Sequence, residues 1–180
     1  MKTSFYTEQE LSQLGLKSYG ENVRISRYAQ IYSPEKISMG DNVRIDDFCI
    51  LSGNITIGSH IHIAAYCALY GAEYGIVMED YTGLSARTTI YAAMDDFSGD
   101  YLIGPIHDSN LTNVTGGKVI LNKYSQIGSG AMLFPDVVVG EGAVLGAMSM
   151  AKYNLEPWTI NAGIPAKFIK ERTKSLLKYV

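Results

Sequence analysis

The sequence predicts an all-β solenoid, a parallel β-helix of short repeated strands, and two observations support this fold class. Aliphatic side chains recur every six residues in three stretches, at Met39, Ile45, Leu51, Ile57, Ile63 and Leu69, at Met78, Leu84 and Ile90, and at Leu121, Ile127, Leu133, Val139, Leu145 and Ala151. Mostly small or β-branched companions follow four positions later, at Val43, Cys49, Ile55, Ile61, Cys67, Thr82, Thr88, Met94, Ser125, Ala131, Val137, Ala143 and Ser149. Helices repeat near 3.6 residues and strands near 2, so a period of six indicates one short strand and one turn per repeat.

Composition restricts the class of protein further. The chain has 180 residues, which suits one domain, and a formal net charge of −3, which argues against a basic nucleic-acid-binding face. No stretch of about 18 apolar residues occurs, so we expect no membrane-spanning segment. Cys49 and Cys67 fall on inward companion positions, and with no secretion signal we expect buried free thiols in a cytoplasmic protein.

Residues 1–18 are predicted to form an N-terminal helical cap. Thr7 and Glu10 have the spacing of a capping box, in which each side chain accepts a hydrogen bond from the other residue's backbone. This pattern predicts a short helix that Gly15 ends, because glycine readily adopts the left-handed conformation found after helices. The solenoid is then expected over residues 19–163.

One long interruption of the repeat lies at residues 95–117. This segment lacks the six-residue pattern and is rich in aspartate and glycine, with Pro105 and His107 near its middle. Long irregular loops on regular scaffolds usually carry function, so we expect this loop to protrude and to contribute to a site.

The last segment, residues 164–180, is predicted to form a C-terminal helix. Apolar residues such as Phe168 and Leu176 alternate with basic residues such as Lys170 and Lys178 at helical spacing. Such a helix would cover the last coil, since solenoids need caps at their ends.

The end of the solenoid carries a more specific pattern. Residues 156–167 read Glu-Pro-Trp-Thr-Ile-Asn-Ala-Gly-Ile-Pro-Ala-Lys. This ending after a run of hexads, with the loop at 95–117, resembles the left-handed β-helix (hexapeptide-repeat) acetyltransferases over nearly the whole chain. The chain is most similar to enzymes of bacterial surface-polysaccharide synthesis that acetylate sugars or nucleotide-linked amino sugars. The resemblance implies left-handed winding, a homotrimer with an active site at each subunit interface, and acetyl-CoA bound along the C-terminal coils.

Several outward tyrosines are compatible with such an assembly. They are Tyr66, Tyr70, Tyr74, Tyr81 and Tyr91. Tyrosine is favoured at interfaces and in substrate contacts, and the alternative explanation is its preference for strands.

Acetyl transfer from a thioester needs a nucleophile, a proton acceptor and a donor for the developing oxyanion. His62 is the strongest candidate among the histidines, because it points outward between two inward isoleucines. Gly83 is expected beside His62 on the next coil, which would leave room for a substrate; an exposed strand residue without a role is the alternative. His107 on the long loop is a second candidate, and His60 is expected to be a solvated corner residue.

The start of the long loop departs from one branch of the family. Sugar O-acetyltransferases of the maltose and galactoside type carry a catalytic histidine there, whereas this chain has Asp95 and Asp96. A hydroxyl nucleophile needs a base poised near neutral pH, but an amine needs less help. We therefore expect Asp95 or Asp96 to hold or deprotonate an amino sugar; the alternative is that both are ordinary turn residues.

The coenzyme site is implied by the resemblance. Ser129 and Ala147 match positions whose backbone groups meet the pantetheine arm, and three lysines are placed for the phosphates of CoA, namely Lys152, Lys167 and Lys170. Trp158 would pack near the adenine or act as a buried cap residue.

These observations predict an acetyl-CoA-dependent sugar acetyltransferase. The favoured reaction is N-acetylation of a nucleotide-linked 4-amino-deoxyhexose for O-antigen or capsule synthesis, by a homotrimer with no nucleic-acid partner. Alternatives are a sugar O-acetyltransferase with His107 as the base and a non-catalytic binding or assembly module. No metal is expected, because the γ-class carbonic anhydrases on this scaffold need three zinc-binding histidines, and the adjacent pair here, His60 and His62, point in alternate directions.

Overall fold

The computed structural model describes residues 3–180 and is a parallel β-solenoid of about seven coils. In chain order the elements are α1 (Glu8–Leu11), β1 (Ser18–Tyr19), β2 (Arg24–Ile25), β3 (Gln30–Tyr32), a 3-10 helix (Pro34–Lys36), β4 (Ile37–Met39), β5 (Val43–Ile45), β6 (Ile50–Ile57), β7 (Ile61–Ile63), β8 (Ala68–Met78), β9 (Gly83–Leu84), β10 (Thr89–Tyr91), β11 (Ala93–Asp95), β12 (Val114–Gly116), β13 (Val119–Leu121), β14 (Gln126–Ile127), β15 (Met132–Leu133), β16 (Val138–Val139), β17 (Val144–Leu145), β18 (Met150–Ala151), β19 (Thr159–Gly163), β20 (Ala166–Glu171) and a second 3-10 helix (Ser175–Tyr179).

Three columns of short strands form three faces of a prism. The first face is an eight-stranded sheet of β2, β5, β7, β9, β14, β17 and β19, with β20 antiparallel at its end. The second face contains β3, β10, β15 and β18, and the third contains β1, β4, β13 and β16. β6 and β8 run around the corner between the second and third faces and join them into one ten-stranded sheet.

The interior confirms the six-residue repeat. All the aliphatic repeat positions are buried, and so are their companions apart from Met94, which is half-buried where the long loop begins. Cys49 and Cys67 are free and buried, and their thiols donate to the carbonyls of Ala64 and Ser85 at 3.1 and 3.2 Å. The hydrophobic core therefore runs along the whole axis of the solenoid.

Two corners are built from residues with positive φ, from 53° at Met148 to 67° at Gly130. The first corner follows the first face and has such residues at Phe48, Tyr66, Arg87, Gly130 and Met148. The third corner leads back to the first face and has them at Asn22, Asn42, His60, Tyr81, Tyr124, Gly142 and Trp158. Two residues before Gly142, a Cβ on Gly140 would lie 2.5 Å from the backbone nitrogen of Pro157, so only glycine allows adjacent coils to pack there.

The second corner, between the second and third faces, carries the long loop. β11 and β12 pair antiparallel as a ribbon, and the Gly117 N–H donates to the Ala92 carbonyl at 2.9 Å to close its base. The ribbon lifts the intervening residues, 96–113, away from the coils.

The N-terminal helix confirms the capping box but ends earlier than expected. Thr7 and Glu10 form both reciprocal hydrogen bonds, and the helix ends at Leu11 with Ser12 as its C-cap. Gly15, which was expected to end the helix, adopts φ 73° in the following turn. Among the described residues, no helix is long and apolar enough to cross a membrane.

The predicted C-terminal helix at residues 164–180 is wrong. β20 (Ala166–Glu171) pairs antiparallel with β19, and only Ser175–Tyr179 forms a short 3-10 helix. The last coil leaves the backbone groups of β19 unpaired on one side, and a strand satisfies those groups whereas a helix would not.

Candidate active site

A groove on the first face collects several polar and small residues. His62 on β7 lies opposite Gly83 on β9, as the sequence predicts. Together with Ala64, Ser85 and Gln126 they line a cavity of about 280 Å³. The Gln126 side chain covers Gly83, since a Cβ there would lie 2.5 Å from Gln126 Oε1. Gly83 therefore makes room for Gln126, and the open part of the groove lies toward Ser85.

His62 is held by a chain of charged partners. Its Nε2 lies 2.8 Å from Asp46 Oδ2, and Asp46 Oδ1 accepts from Arg44 Nε at 2.7 Å. Partial burial opposes ionisation of Asp46, but the hydrogen bonds from His62 and Arg44 outweigh it and lower its pKa. Because an ionised carboxylate only accepts, Nε2 carries the hydrogen, which leaves Nδ1 of a neutral His62 as a proton acceptor.

Ser85 is the groove residue that the sequence reasoning missed. Its side chain is exposed and forms no hydrogen bond within residues 3–180. Serine is common at turns, so its sole signal in the sequence is its position two residues after Gly83.

The acidic residues of the loop have different surroundings. Asp96 accepts a hydrogen bond from the Ser98 N–H and another from Asn113 Nδ2, both at 2.8 Å, and these bonds lower its pKa. The side chain of Asp95 makes no hydrogen bond or ion pair within the described chain, and it is half-buried on the ribbon. Asp96 therefore maintains the loop, whereas Asp95 is available to a ligand. His107 is exposed at the far part of the loop.

A single chain does not bring the groove and the loop together. The ribbon that carries Asp95 leaves the solenoid at the second corner, between the second and third faces, whereas His62 and Ser85 lie on the first face or at its end. In a three-sided prism, that corner lies opposite the first face.

The residues expected to bind coenzyme lie toward the C-terminal end. Ser129 and Ala147 are exposed at the first corner, and their N–H groups have no hydrogen-bond partner within residues 3–180. Lys167 lies beside Ala162, which packs against Gly146, so it is near Ala147. Lys170 is exposed further along β20, and Lys152 is exposed after the second face.

Trp158 and His60 both belong to the third corner. Trp158 is 7% exposed, so the structure makes it a buried cap residue rather than an open adenine platform. His60 is exposed at a corner, as expected, and stacks on Tyr81 with ring centroids 4.6 Å apart. Within residues 3–180, no group of three His, Cys, Asp or Glu side chains is arranged to hold a metal ion.

Comparison with known proteins gives close relatives over the full length, although no family model matches the chain. The dTDP-4-amino-4,6-dideoxy-D-glucose acyltransferase of Escherichia coli is 43% identical over 178 residues, which are 97% of this chain and 92% of that protein. A crystal structure of a variant of AntD, an N-acyltransferase from Bacillus cereus, with dTDP and coenzyme A, is 52% identical with a TM-score of 0.97, over 99% of this chain and 96% of that one. AntD has also been solved with dTDP and 3-hydroxybutyryl-CoA, at 53% identity and a TM-score of 0.97 over 99% and 95% of the two chains.

The fold, the groove and these similarities define an acyltransferase of the hexapeptide-repeat β-helix class. The chain belongs to the same family as the dTDP-4-amino-4,6-dideoxy-D-glucose acyltransferase of Escherichia coli. The solved AntD variants replace one serine and one aspartate that are ten residues apart. In this chain Ser85 and Asp95 have the same spacing, and each is numbered one position higher than its AntD counterpart.

Proposed function

We propose that this chain transfers the acetyl group of acetyl-CoA to the 4-amino group of a dTDP-linked 4-amino-4,6-dideoxyhexose. The observation that carries this proposal is the near full-length similarity to two enzymes named for acyl transfer, one of which was solved with dTDP and coenzyme A. The absence of a histidine at the start of the loop supports an amine acceptor rather than a hydroxyl.

The reaction forms one bond and breaks another. The sugar nitrogen attacks the thioester carbonyl carbon, a C–N bond forms, the C–S bond breaks, and the products are an amide and CoA thiol. Asp95 pairs with the incoming ammonium and orients the amine, and His62 accepts one ammonium proton through Nδ1 while Asp46 holds the ring. The second proton that the nitrogen loses after attack passes to the leaving thiolate, which gives CoA thiol. The Ser85 hydroxyl donates to the oxyanion that develops on the carbonyl.

The active site in this proposal is shared between subunits of a homotrimer. Asp95 and the groove of one chain lie at opposite parts of the prism, so the loop of one subunit would reach the first-face groove of its neighbour. An assembly with threefold symmetry supplies three equivalent sites of this kind.

The coenzyme would lie along the first corner toward the C-terminal end. The N–H groups of Ser129 and Ala147, which have no partner among the described residues, would donate to the carbonyl oxygens of the pantetheine arm. Lys167 and Lys170 would pair with the phosphates, Lys167 being the lysine nearest to Ala147. Lys152 follows the second face, so in the trimer it would reach the phosphates from a neighbouring subunit. We place the enzyme in the cytoplasm, acting on a sugar nucleotide for surface-polysaccharide synthesis.

The test is release of CoA thiol from acetyl-CoA with paired acceptors. We expect turnover with dTDP-4-amino-4,6-dideoxyglucose and none with its 4-hydroxy counterpart. Turnover with the hydroxyl sugar would instead support O-acetylation with His107 as the base. No release of thiol with either acceptor would contradict an enzymatic role on these sugars and favour a binding or assembly module.

Mixed trimers test the shared site. We expect Asp95→Asn and Ser85→Ala each to lower kcat about 100-fold, with Asp100→Asn, an exposed aspartate on the same loop, as the control near wild type. When the two inactive chains are co-expressed, sites that combine an intact loop from one chain with an intact groove from the other become active. If co-expression of the two variants restores no activity, the loop acts within its own subunit.

A further inference from the structure

The first corner carries an exposed stack of three aromatic rings. Tyr28 and Phe48 have ring centroids 5.7 Å apart, and Phe48 and Tyr66 have centroids 5.0 Å apart, with interplanar angles of 30° and 26°. Each of the three side chains is about half exposed, at 56%, 49% and 56%. We propose that this aromatic stack is the platform on which the base of the acceptor nucleotide binds, an inference that rests on the proposed function.

The backbone conformation of this corner does not explain why Phe48 and Tyr66 are aromatic. Phe48 and Tyr66 both have φ 63°, a conformation that favours glycine or asparagine over bulky side chains. Asparagine does occupy the equivalent positions of the third corner in the first coils, at Asn22 and Asn42. Phe48 and Tyr66 thus expose large rings in a backbone conformation that disfavours them, as expected where a surface is kept for binding.

The aromatic stack is continuous with the candidate active site. Tyr66 follows two residues after Ala64, which lines the groove, and the next coil brings Ser85 and then Arg87 to the same corner. Ser129 and Ala147, assigned above to the pantetheine arm, occupy this corner further toward the C-terminus. One corner thus offers small residues for the coenzyme on one side of Ser85 and aromatic rings on the other, so the two substrates would meet there.

The positive charge of Arg87 also fits a nucleoside diphosphate. Arg87 is exposed at the first corner, one coil from Tyr66, and its N–H donates to the Ala65 carbonyl at 3.1 Å. Its guanidinium forms no ion pair within residues 3–180, whereas Arg27 and Arg44 are paired with Glu10 and Asp46. Coils are about 4.8 Å apart, so a base stacked on Tyr66 would put its diphosphate beside Arg87 and its sugar toward Ser85.

Binding of dTDP to the full-length protein tests this platform. Calorimetry with dTDP, thymidine and CoA on Tyr66→Ala and Phe48→Ala should show dTDP affinity reduced ten- to hundredfold and CoA affinity unchanged. Tyr66→Phe keeps the ring and should bind like wild type. Tyr32→Ala is the matched control, because Tyr32 is equally exposed but stacks on no other ring of residues 3–180. Arg87→Ala should weaken dTDP and leave thymidine unaffected.

Two results would overturn the platform. One is unchanged dTDP affinity in Tyr66→Ala and Phe48→Ala while acceptor turnover persists, which would leave the proposed function standing. The other is a change of sedimentation coefficient in these variants, which would make the stack an interface between copies of the chain. If wild type neither binds dTDP nor releases thiol with the amino sugar, the proposed function fails, and the platform fails with it.

Discussion

The third and first corners share a backbone conformation but differ in what covers them. At the third corner, the rings of His60, Tyr81, Tyr124 and Trp158 form a series that ends in a buried tryptophan. The chain then folds back over it, as Arg172 donates to the carbonyls of Tyr124 and Gly142 at 2.9 and 2.8 Å. At the first corner, the rings of Tyr28, Phe48 and Tyr66 remain open. The same geometry therefore stabilises the fold at one edge and leaves aromatic rings exposed at the other.

The largest expected effect is on the closed corner. Trp158→Ala should lower the free energy of unfolding by about 3 kcal/mol, because it leaves a cavity under the C-terminal segment and removes the contact with Lys174. Urea unfolding followed by circular dichroism measures this change. Trp158→Phe is the control and should recover more than half of the loss. A loss below about 1 kcal/mol for alanine would contradict the role given to this ring.

A pair of arginines compares the corners directly. Arg172→Ala should lower the free energy of unfolding by about 2 kcal/mol, since two carbonyl oxygens lose a charged donor. Arg87→Ala should change it by less than about 0.5 kcal/mol, because Arg87 is exposed and forms no ion pair in the part of the chain that the structure describes. Equal losses measured by denaturant unfolding would show that both corners serve stability.

The open corner should be less sensitive to removal of a ring. Phe48→Ala removes two stacked contacts from a half-exposed side chain, and we expect a loss of about 1 kcal/mol. Thermal unfolding of Phe48→Ala beside Trp158→Ala measures the difference. A loss as large as that of Trp158→Ala would mean that the open rings are part of the core.

The smallest effect concerns Asp46 at the start of the first corner. Its folded pKa is lowered, so it stabilises the fold above its unfolded pKa of about 3.9 and loses that contribution as pH falls through the folded value. Asp46→Asn should therefore cost roughly 0.5 kcal/mol at pH 7 and progressively less as the pH falls below the unfolded pKa of Asp46 and through its lowered folded pKa. Unfolding curves measured at a series of pH values test this; a deficit that does not shrink as the pH falls would have a cause other than charge.

Much of the fold follows from local pattern, because every hexad repeats the same inward positions. Leu51 and Leu69 are buried for the same reason, and no distant contact is needed to predict either. The C-terminal strand was missed because Lys167, Phe168 and Lys170 suit a helix or a strand locally. The unpaired edge of β19 decides between them, and that edge exists only after seven coils are stacked.

The candidate site was predictable only in part. His62 and its neighbour Gly83 follow from the repeat, but the bond from His62 to Asp46 depends on how two coils align. Ser85 has no distinguishing sequence context. The stack at the first corner joins residues 18 to 20 positions apart, so its existence depends on the coil lengths between Tyr28, Phe48 and Tyr66.

The two buried cysteines make thiol release by this protein convenient to assay. Cys49 and Cys67 have no exposed surface, and the neighbouring thiol of Cys67 together with burial raises the pKa of Cys49. A chromogenic disulfide reagent added to the folded protein therefore reports the thiol of released coenzyme with no background from the enzyme. In the absence of substrate, the same reagent measures the rate of unfolding, because it reaches both sulfurs only when the coils separate.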